Sequence, residues 1–548
     1  MNKKAIVFLG ALVSLVCAAQ RPQLPPPPGN VVFTHRVMVP GDETRSFNMS
    51  PVYFVYPDGR LDKDGAEKLI EELGMAEPMA GNHWSVFVVN PVGDQYEAGT
   101  DFEAFKKLFD AQYTVTNLKV IGIGQGATFV NQTLAPEAGH AIAGILSIGG
   151  KPAHAKVNPH PVPVLLAGKG AAKAAKPYLA ANQPLEKAEP LLKTVVLSDA
   201  KASLGEVFRQ AWDQVFSRNY RFNNVGHTWY EGAKFGDYGS YELEPYMIPG
   251  HFGVERRIVT QEHPGSKDWL WYEYFPEGTQ AAPAKSVPLM VLLHGNTNDP
   301  RTQAETSGFI ELAGEEKFIV VEMEWQGSET HGTMGHDGVE SVIYQLLEKY
   351  PQIDPSRIYA EGLSAGSITA TALGIKKSHL FAAVGGHSGG IFAVARFCDE
   401  NGLMDEALQK RGNVEMPYCS VLGTADKVVP FVSPDDYVGN GYLKAWNAYE
   451  LMNGVPVVKD LDFQIDPVFG FALSNRQRIV TCKGDGIAVE TGEVLKGNVP
   501  VVKIIAVMDY AHWNFKPTAR MMWDYFIQFS RDPETKRLVY RPAVRPVG

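Results

Sequence analysis

Cysteine is scarce, with four in 548 residues. If the first nineteen residues are removed as an export leader, Cys398, Cys419 and Cys482 remain, an odd number that permits one disulfide at most. Disulfide staples are therefore not expected to hold this fold. Cations are also in deficit: 51 Lys and Arg stand against 61 Asp and Glu, a formal net charge of −10. Nucleic-acid binding depends on clustered Lys and Arg that release counterions from phosphates, so a nucleic-acid partner is not expected. Beyond the leader no run approaches the ~20 apolar residues that a membrane-spanning helix needs. His-Glu-x-x-His, paired Cys-x-x-Cys and G-x-x-x-x-G-K-[ST] are all missing, so no metal and no cofactor is expected. With 45% hydrophobic and 20% charged residues, the chain is neither disordered nor collagen-like.

The leader itself reads as an export signal. Lys3 and Lys4 precede an apolar run from Ala5 to Val16, and Cys17-Ala18-Ala19 offers a cleavage site before Gln20. The mature protein is expected to be exported, periplasmic or extracellular. Val16 is bulky where a lipoprotein signal carries a small residue, which argues against lipidation of Cys17.

After prolines 25 to 28, apolar strand-like runs alternate with helix-like runs, the pattern of an α/β fold with a mostly parallel sheet covered on both faces. In the C-terminal half, strands are expected at Pro288 to Leu293, Phe318 to Met323, Arg357 to Glu361, Ala382 to Gly386, Tyr418 to Leu422 and Val501 to Val507. Helices are expected at Gly338 to Lys349, Ser367 to Lys376 and Thr518 to Phe529. The N-terminal half repeats the scheme at a steady offset. Gly122 to Gly126 precedes Ala143 to Gly150 much as Gly362 to Gly366 precedes Ala382 to Gly386, and Val162 to Gly168 echoes Met416 to Gly423. Two tandem α/β-hydrolase-like domains are inferred: a degenerate one over 28–226 and a catalytic one over 254–548, with a linker or interface segment over 227–253.

Gly362-Leu363-Ser364-Ala365-Gly366 matches G-x-S-x-G, the tight strand-to-helix turn that exposes a nucleophilic serine. With 53 glycines in the chain such a match is weak alone, and Gly386-His387-Ser388-Gly389-Gly390 is a second. Strand, elbow and helix occur in order around Ser364, and the N-terminal copy keeps both glycines, at 122 and 126; Ser388 reads as a turn serine. A serine needs a base and a carboxylate to orient it, in the chain order Ser, Asp/Glu, His. Asp426, just past the Tyr418 to Leu422 strand, supplies the carboxylate, with Asp509 as its rival. His512, in the loop after the last strand, supplies the base. The oxyanion would be met by the backbone N–H groups of Asn296, after the first strong strand, and Ala365, after the nucleophile. His294 is the weaker candidate in that loop, with buttressing of the loop as its alternative role. Trp325 and Trp513 could stack on an aromatic or sugar group of the substrate, although core packing is the general role of such residues.

The run from Arg357 to Gly366, then Leu380 to Val384 and His387-Ser388-Gly389, with Leu293-His294-Gly295 and Gly423-Thr-Ala-Asp426-Lys-Val-Val-Pro430, resembles the polyhydroxybutyrate depolymerase and feruloyl esterase family of secreted α/β-hydrolases, over about Trp269 to Phe529. The resemblance implies a triad of Ser364, Asp426 and His512, and makes His387-Ser388-Gly389 a structural strand end. The chain departs from the family around the histidine, where it has Tyr510-Ala-His-Trp-Asn514. The N-terminal copy carries Gly124 at the nucleophile position, no carboxylate after Ala167-Gly-Lys-Gly-Ala171, and Ala202 in place of the histidine when Asp199 is aligned with Asp509. It is read as a pseudo-hydrolase that scaffolds the catalytic domain or helps hold a polymeric substrate. The expected activity is hydrolysis of feruloyl or acetyl esters on plant polysaccharide. The alternatives are a polyhydroxyalkanoate or other polyester, a serine peptidase, and a non-catalytic carbohydrate-binding protein.

Overall fold

The computed structural model describes residues 26–37, 50–80, 82–112, 117–188, 194–198, 201–223, 235, 241–245, 249–296, 298, 300–328, 330–389, 415–426, 428–432, 440–480 and 487–542. The leader, Asp199, Cys398, Cys482 and most of 227–253 lie outside the described residues. Cys419 is a free thiol that burial pushes up to about 12. Contacts divide the chain into two compact units, the first made chiefly of Pro51–Ala80 and Trp84–Glu244, the second of Pro245–Gly548.

In the first unit, β1 (Val31–Val37), β2 (Val52–Tyr56), β3 (Trp84–Val89), β4 (Leu118–Ile123), β5 (Gly144–Ile148), β6 (Val164–Ala167) and β7 (Val195–Leu197) form one sheet in the order β1-β3-β2-β4-β5-β6-β7. From β3 to β7 all the pairings are parallel. Strands such as VYFVY and LKVIGI are buried on both faces and so read as near-continuous apolar runs. Helix Lys63–Leu73 starts where the Asp62 carboxylate accepts the Gly65 N–H and stops at Gly74, in the left-handed region that glycine enters without cost. Two short strands, β8 (Asn219–Asn223) and β9 (Tyr241–Pro245), pair with each other.

The second unit holds ten strands: β10 (Val254–Gln261), β11 (Trp269–Pro276), β12 (Val287–Leu293), β13 (Ile319–Met323), β14 (Ile353–Gly362), β15 (Ala383–His387), β16 (Tyr418–Gly423), β17 (Ser474–Val480), β18 (Ala488–Lys496) and β19 (Val499–Val507). Their order is β10-β11-β13-β12-β14-β15-β16-β19-β18-β17. The central six are parallel, and antiparallel hairpins close both edges. The edge strands β10 (VERRIVTQ) and β17 (SNRQRIV) are polar and half exposed, which is why no apolar run announces them. The closing helix is shorter than expected, Pro517–Phe526, because Phe529–Arg531 leaves it to form a small strand pair.

The central order β13-β12-β14-β15-β16-β19 repeats β3-β2-β4-β5-β6-β7. Register agrees as well: Leu293 lies opposite Gly362 in one unit and Tyr56 opposite Gly122 in the other. Two tandem α/β-hydrolase-like sheets are thus present. In open sheets of this kind the carboxyl edge is where ligands and chemistry gather.

Candidate functional site

Ser364 stands between β14 and helix Ala365–Lys376 with φ 54° and ψ −115°, a left-handed conformation that costs a non-glycine residue free energy. Close packing enforces the turn. A Cβ on Gly366 would come 2.0 Å from the Leu293 carbonyl oxygen and 2.5 Å from that of His294, and one on Gly362 would lie 2.4 Å from the Gly366 carbonyl carbon. The Ser364 N–H donates to the His387 carbonyl at 2.8 Å, which anchors the elbow to the end of β15. The result is a half-exposed hydroxyl at the carboxyl edge.

Two loops converge on it. Asp426, three residues past β16, is buried; its Oδ1 accepts the Val428 and Val429 N–H groups at 2.8 and 2.9 Å. Its Oδ2 lies 2.7 Å from His512 Nδ1, and His512 Nε2 lies 2.9 Å from Ser364 Oγ. Because the carboxylate can only accept, Nδ1 carries the proton and Nε2 presents its lone pair to the serine hydroxyl. The two loops are laced together: the Ala425 N–H donates to the Tyr510 carbonyl at 2.9 Å, and a Cβ on Gly423 would sit 2.2 Å from that same oxygen. The rival Asp509 is exposed, and its backbone N–H donates to Thr424 Oγ1 at 2.8 Å. Asp426, not Asp509, is the carboxylate brought to His512. Ser388 is buried and turned away into a hydrogen bond with His387.

Three side chains behind the site carried no sequence signal of their own. Asn514, on the histidine loop, donates to Gln303 Oε1 at 2.9 Å and to Thr306 Oγ1 at 2.8 Å, while Gln303 donates to Glu361 beside the elbow. This buried relay ties the strand bearing Ser364 to the loop bearing His512. His387 accepts the Phe515 N–H through Nε2 at 3.2 Å, so its proton sits on Nδ1, toward Ser388 Oγ; burial pulls its pKa down to about 3 and keeps the ring neutral. Glu361 is fully buried, and desolvation, partly opposed by the Gln303 hydrogen bond, raises its pKa to about 8. Between its ordinary carboxylate value and pH 8 the unfolded chain has released this proton while the folded chain still holds it, so the contribution of Glu361 to stability falls as pH rises through that window. Glu361→Gln is expected to flatten that decline and to raise the thermal midpoint at pH 8, measured by calorimetry from pH 5 to 8; identical slopes in the two proteins would refute the assignment.

His294 is fully buried between the Gly295 carbonyl (2.8 Å) and Glu324 (3.2 Å), a buttress for the loop after β12. The Trp325 indole N–H donates to the His294 carbonyl at 2.9 Å, which makes Trp325 part of that same support. Asn296 is half-exposed at the tip of the loop and its side-chain oxygen accepts from Gln326. Ala365, first in the elbow helix, and Trp513, beside His512, are also half-exposed.

The corresponding place in the first unit has the same backbone and different chemistry. Gly124 adopts φ 55° and ψ −111°, within a few degrees of Ser364, and a Cβ on Gly126 would lie 2.0 Å from the Tyr56 carbonyl oxygen, as one on Gly366 would from Leu293. The turn is kept without the hydroxyl. The Gln125 N–H, counterpart of the Ala365 N–H, donates to Asp58 Oδ1 at 2.8 Å. A carboxylate thus lies where a developing oxyanion would have to go.

A half-exposed hydroxyl, a ring nitrogen with its lone pair facing it and a buried carboxylate behind the ring are the elements of nucleophilic acyl transfer. Among the described residues no three His, Cys, Asp or Glu side chains are grouped to hold a metal, and no helix is long and apolar enough to cross a membrane. The fold of the second unit is that of an α/β-hydrolase. Residues 271–448, which include Ser364 and Asp426 and stop short of His512, match the family model described as esterase PHB depolymerase, relating this unit to that family of esterases. No curated protein matches the chain. Among solved structures it is similar to an acetyl xylan esterase from Aspergillus awamori (16% identity over 50% of this chain and 98% of that one, TM-score 0.36) and to the feruloyl esterase module from Clostridium thermocellum (14%, 50% and 87%, TM-score 0.32). It is also similar to a fluorophosphonate-binding serine hydrolase from Staphylococcus aureus (16%, 36% and 88%, TM-score 0.28).

Proposed function

We propose that the chain is an exported serine esterase that removes feruloyl or acetyl groups from plant polysaccharide. The observation that carries this reading is the continuous link from Ser364 Oγ through His512 to Asp426 Oδ2, on an elbow whose serine alone of the three is half-exposed. Ser364 Oγ bonds to the ester carbonyl carbon as its proton passes to His512 Nε2. The ionised Asp426 stabilises the imidazolium so formed. The carbonyl oxygen takes up the negative charge, met by the backbone N–H groups of Ala365 and Asn296. Collapse breaks the bond to the sugar oxygen, which leaves with the proton from His512. Water, deprotonated by the same nitrogen, then releases the acid and restores Ser364. Export rests on the leader. A hydroxyalkanoate polyester is the second reading, favoured by the description of the family that residues 271–448 match.

The test is hydrolysis of nitrophenyl acetate, methyl ferulate, acetylated xylan and a polyhydroxybutyrate suspension by the mature chain and by Ser364→Ala. Turnover on the first three that vanishes in the variant supports the proposal, turnover of the polyester alone supports the second reading, and silence on all four overturns both.

The first unit is expected to stay silent when its missing hydroxyl is supplied. A Cβ on Gly124 would lie 2.2 Å from Asp58 Cγ, so the carboxylate would have to leave the Gln125 N–H. Gly124→Ser in the Ser364→Ala background is expected to lose about 1 to 3 kcal/mol of stability and to gain no esterase activity. Strong activity in that double variant would overturn the pseudo-hydrolase reading.

A further inference from the structure

The cavity over Gly124 in the first unit has a volume of about 450 Å³, within the range of small-ligand sites, although the elbow beneath it has no nucleophile. One wall is aromatic and rigid. The Tyr96 hydroxyl donates to the Val89 carbonyl at 2.8 Å, and its ring stacks on Phe129 with centroids 5.3 Å apart and planes 13° from parallel. The rest of the lining is rich in uncharged polar groups, above all the amides of Gln95, Gln125 and Gln132. Gln132 spends its amide N–H on the Pro152 carbonyl at 2.9 Å, which fixes the side chain and leaves its oxygen to accept. Thr128 Oγ1 donates to the Gly124 carbonyl and accepts the Lys151 N–H, both at 3.1 Å, fixing the far side. Gln95 and Gln125 are exposed, with both amide atoms available. Charge is nearly balanced: Lys151 lines the cavity and the Asp58 carboxylate lies beside Gly124.

We infer that this cavity binds a saccharide, a few residues of a polysaccharide chain, as a non-hydrolysing site. Amides that donate and accept side by side match vicinal hydroxyls, and a fixed ring offers a flat surface to the C–H face of a pyranose. A phosphorylated or strongly anionic ligand would meet the Asp58 carboxylate, and a purely apolar one would desolvate the Gln95 and Gln125 amides without giving them partners. The elbow glycine leaves room for the Asp58 carboxylate, which a Cβ at 124 would approach to 2.2 Å. The inference rests on the polysaccharide reading of the second unit only for the choice of probe.

The experiment is titration calorimetry of the full chain carrying Ser364→Ala, so that nothing is cleaved, with xylohexaose, cellohexaose and trigalacturonate as separate probes. Binding of at least one neutral hexaose, with Kd below ~1 mM, is expected. Adding Gln95→Ala and Gln125→Ala, both at exposed positions, is expected to raise that Kd tenfold or more while the thermal midpoint stays in place. Preference for either neutral hexaose supports the inference, and preference for trigalacturonate overturns it, since an acidic glycan would meet the Asp58 carboxylate beside Gly124. Absence of heat with all three probes overturns it, and so does a Kd unchanged by the two glutamine substitutions. Nitrophenyl acetate hydrolysis by the parent chain, read separately, decides the esterase reading, so the two can fail independently.

Discussion

Ser364→Ala is expected to lower kcat on nitrophenyl acetate on the order of 10⁶-fold, leaving the residual rate that an oxyanion site and substrate binding sustain. The loss should fall on kcat with little change in thermal midpoint. The serine hydroxyl is half-exposed, and the backbone hydrogen bond from its N–H to His387 survives the substitution. His512 keeps its tie to Asp426, so the site remains assembled around the missing atom. A variant that retained a tenth of the parent activity would show that the chemistry lies elsewhere, Ser388 being the next candidate to substitute.

Asp426→Asn is the second large effect, about 10⁴-fold in kcat, and hydrogen bonding explains why. Oδ1 of Asp426 accepts two backbone N–H groups, from Val428 and Val429, and only an oxygen can do so. An asparagine there must keep its oxygen toward those donors, which turns its NH₂ toward His512 Nδ1. That nitrogen then has to accept, its proton moves to Nε2, and the lone pair that faces Ser364 is lost. The ring stays in place in the wrong tautomer. Asp509→Asn is expected to leave kcat within twofold of the parent, since its exposed side chain lies off this line. Equal losses in the two variants, measured with circular dichroism as a control for folding, would contradict the assignment of roles.

Much of this was legible in the residues because some constraints are local. Glycine at 362 and 366 is demanded by backbone atoms within a few positions and by one neighbouring strand, and the same demand at 122 and 126 makes the duplication readable. Continuous apolar runs mark parallel strands buried on both faces, so β12, β13, β15, β16 and β19 could be placed within a residue or two, while β14 begins four residues before the expected Arg357, in a half-buried polar stretch. The order serine, aspartate, histidine follows from which strand ends face one edge. The edge strands β10 and β17 were not legible, because a strand with a solvated face and mixed polar residues looks like loop.

By itself, the sequence determined the α/β class and the repeated half, and nominated Ser364, Asp426 and His512 as candidates, because spacing and residue type are properties of the chain. Only the tertiary structure decided which of two aspartates meets the histidine. Asp509 is three residues from His512 and Asp426 is 86 away, but the left-handed turn at Asp509 leaves it exposed, while Asp426 is pinned by two backbone donors against the ring. Only the fold, likewise, brings Glu361, Gln303 and Asn514 into one buried relay and sets Asp58 on the Gln125 N–H. These contacts join residues 58 to 211 positions apart. Such meetings arise from sheet order and loop packing, which no local pattern of residues encodes.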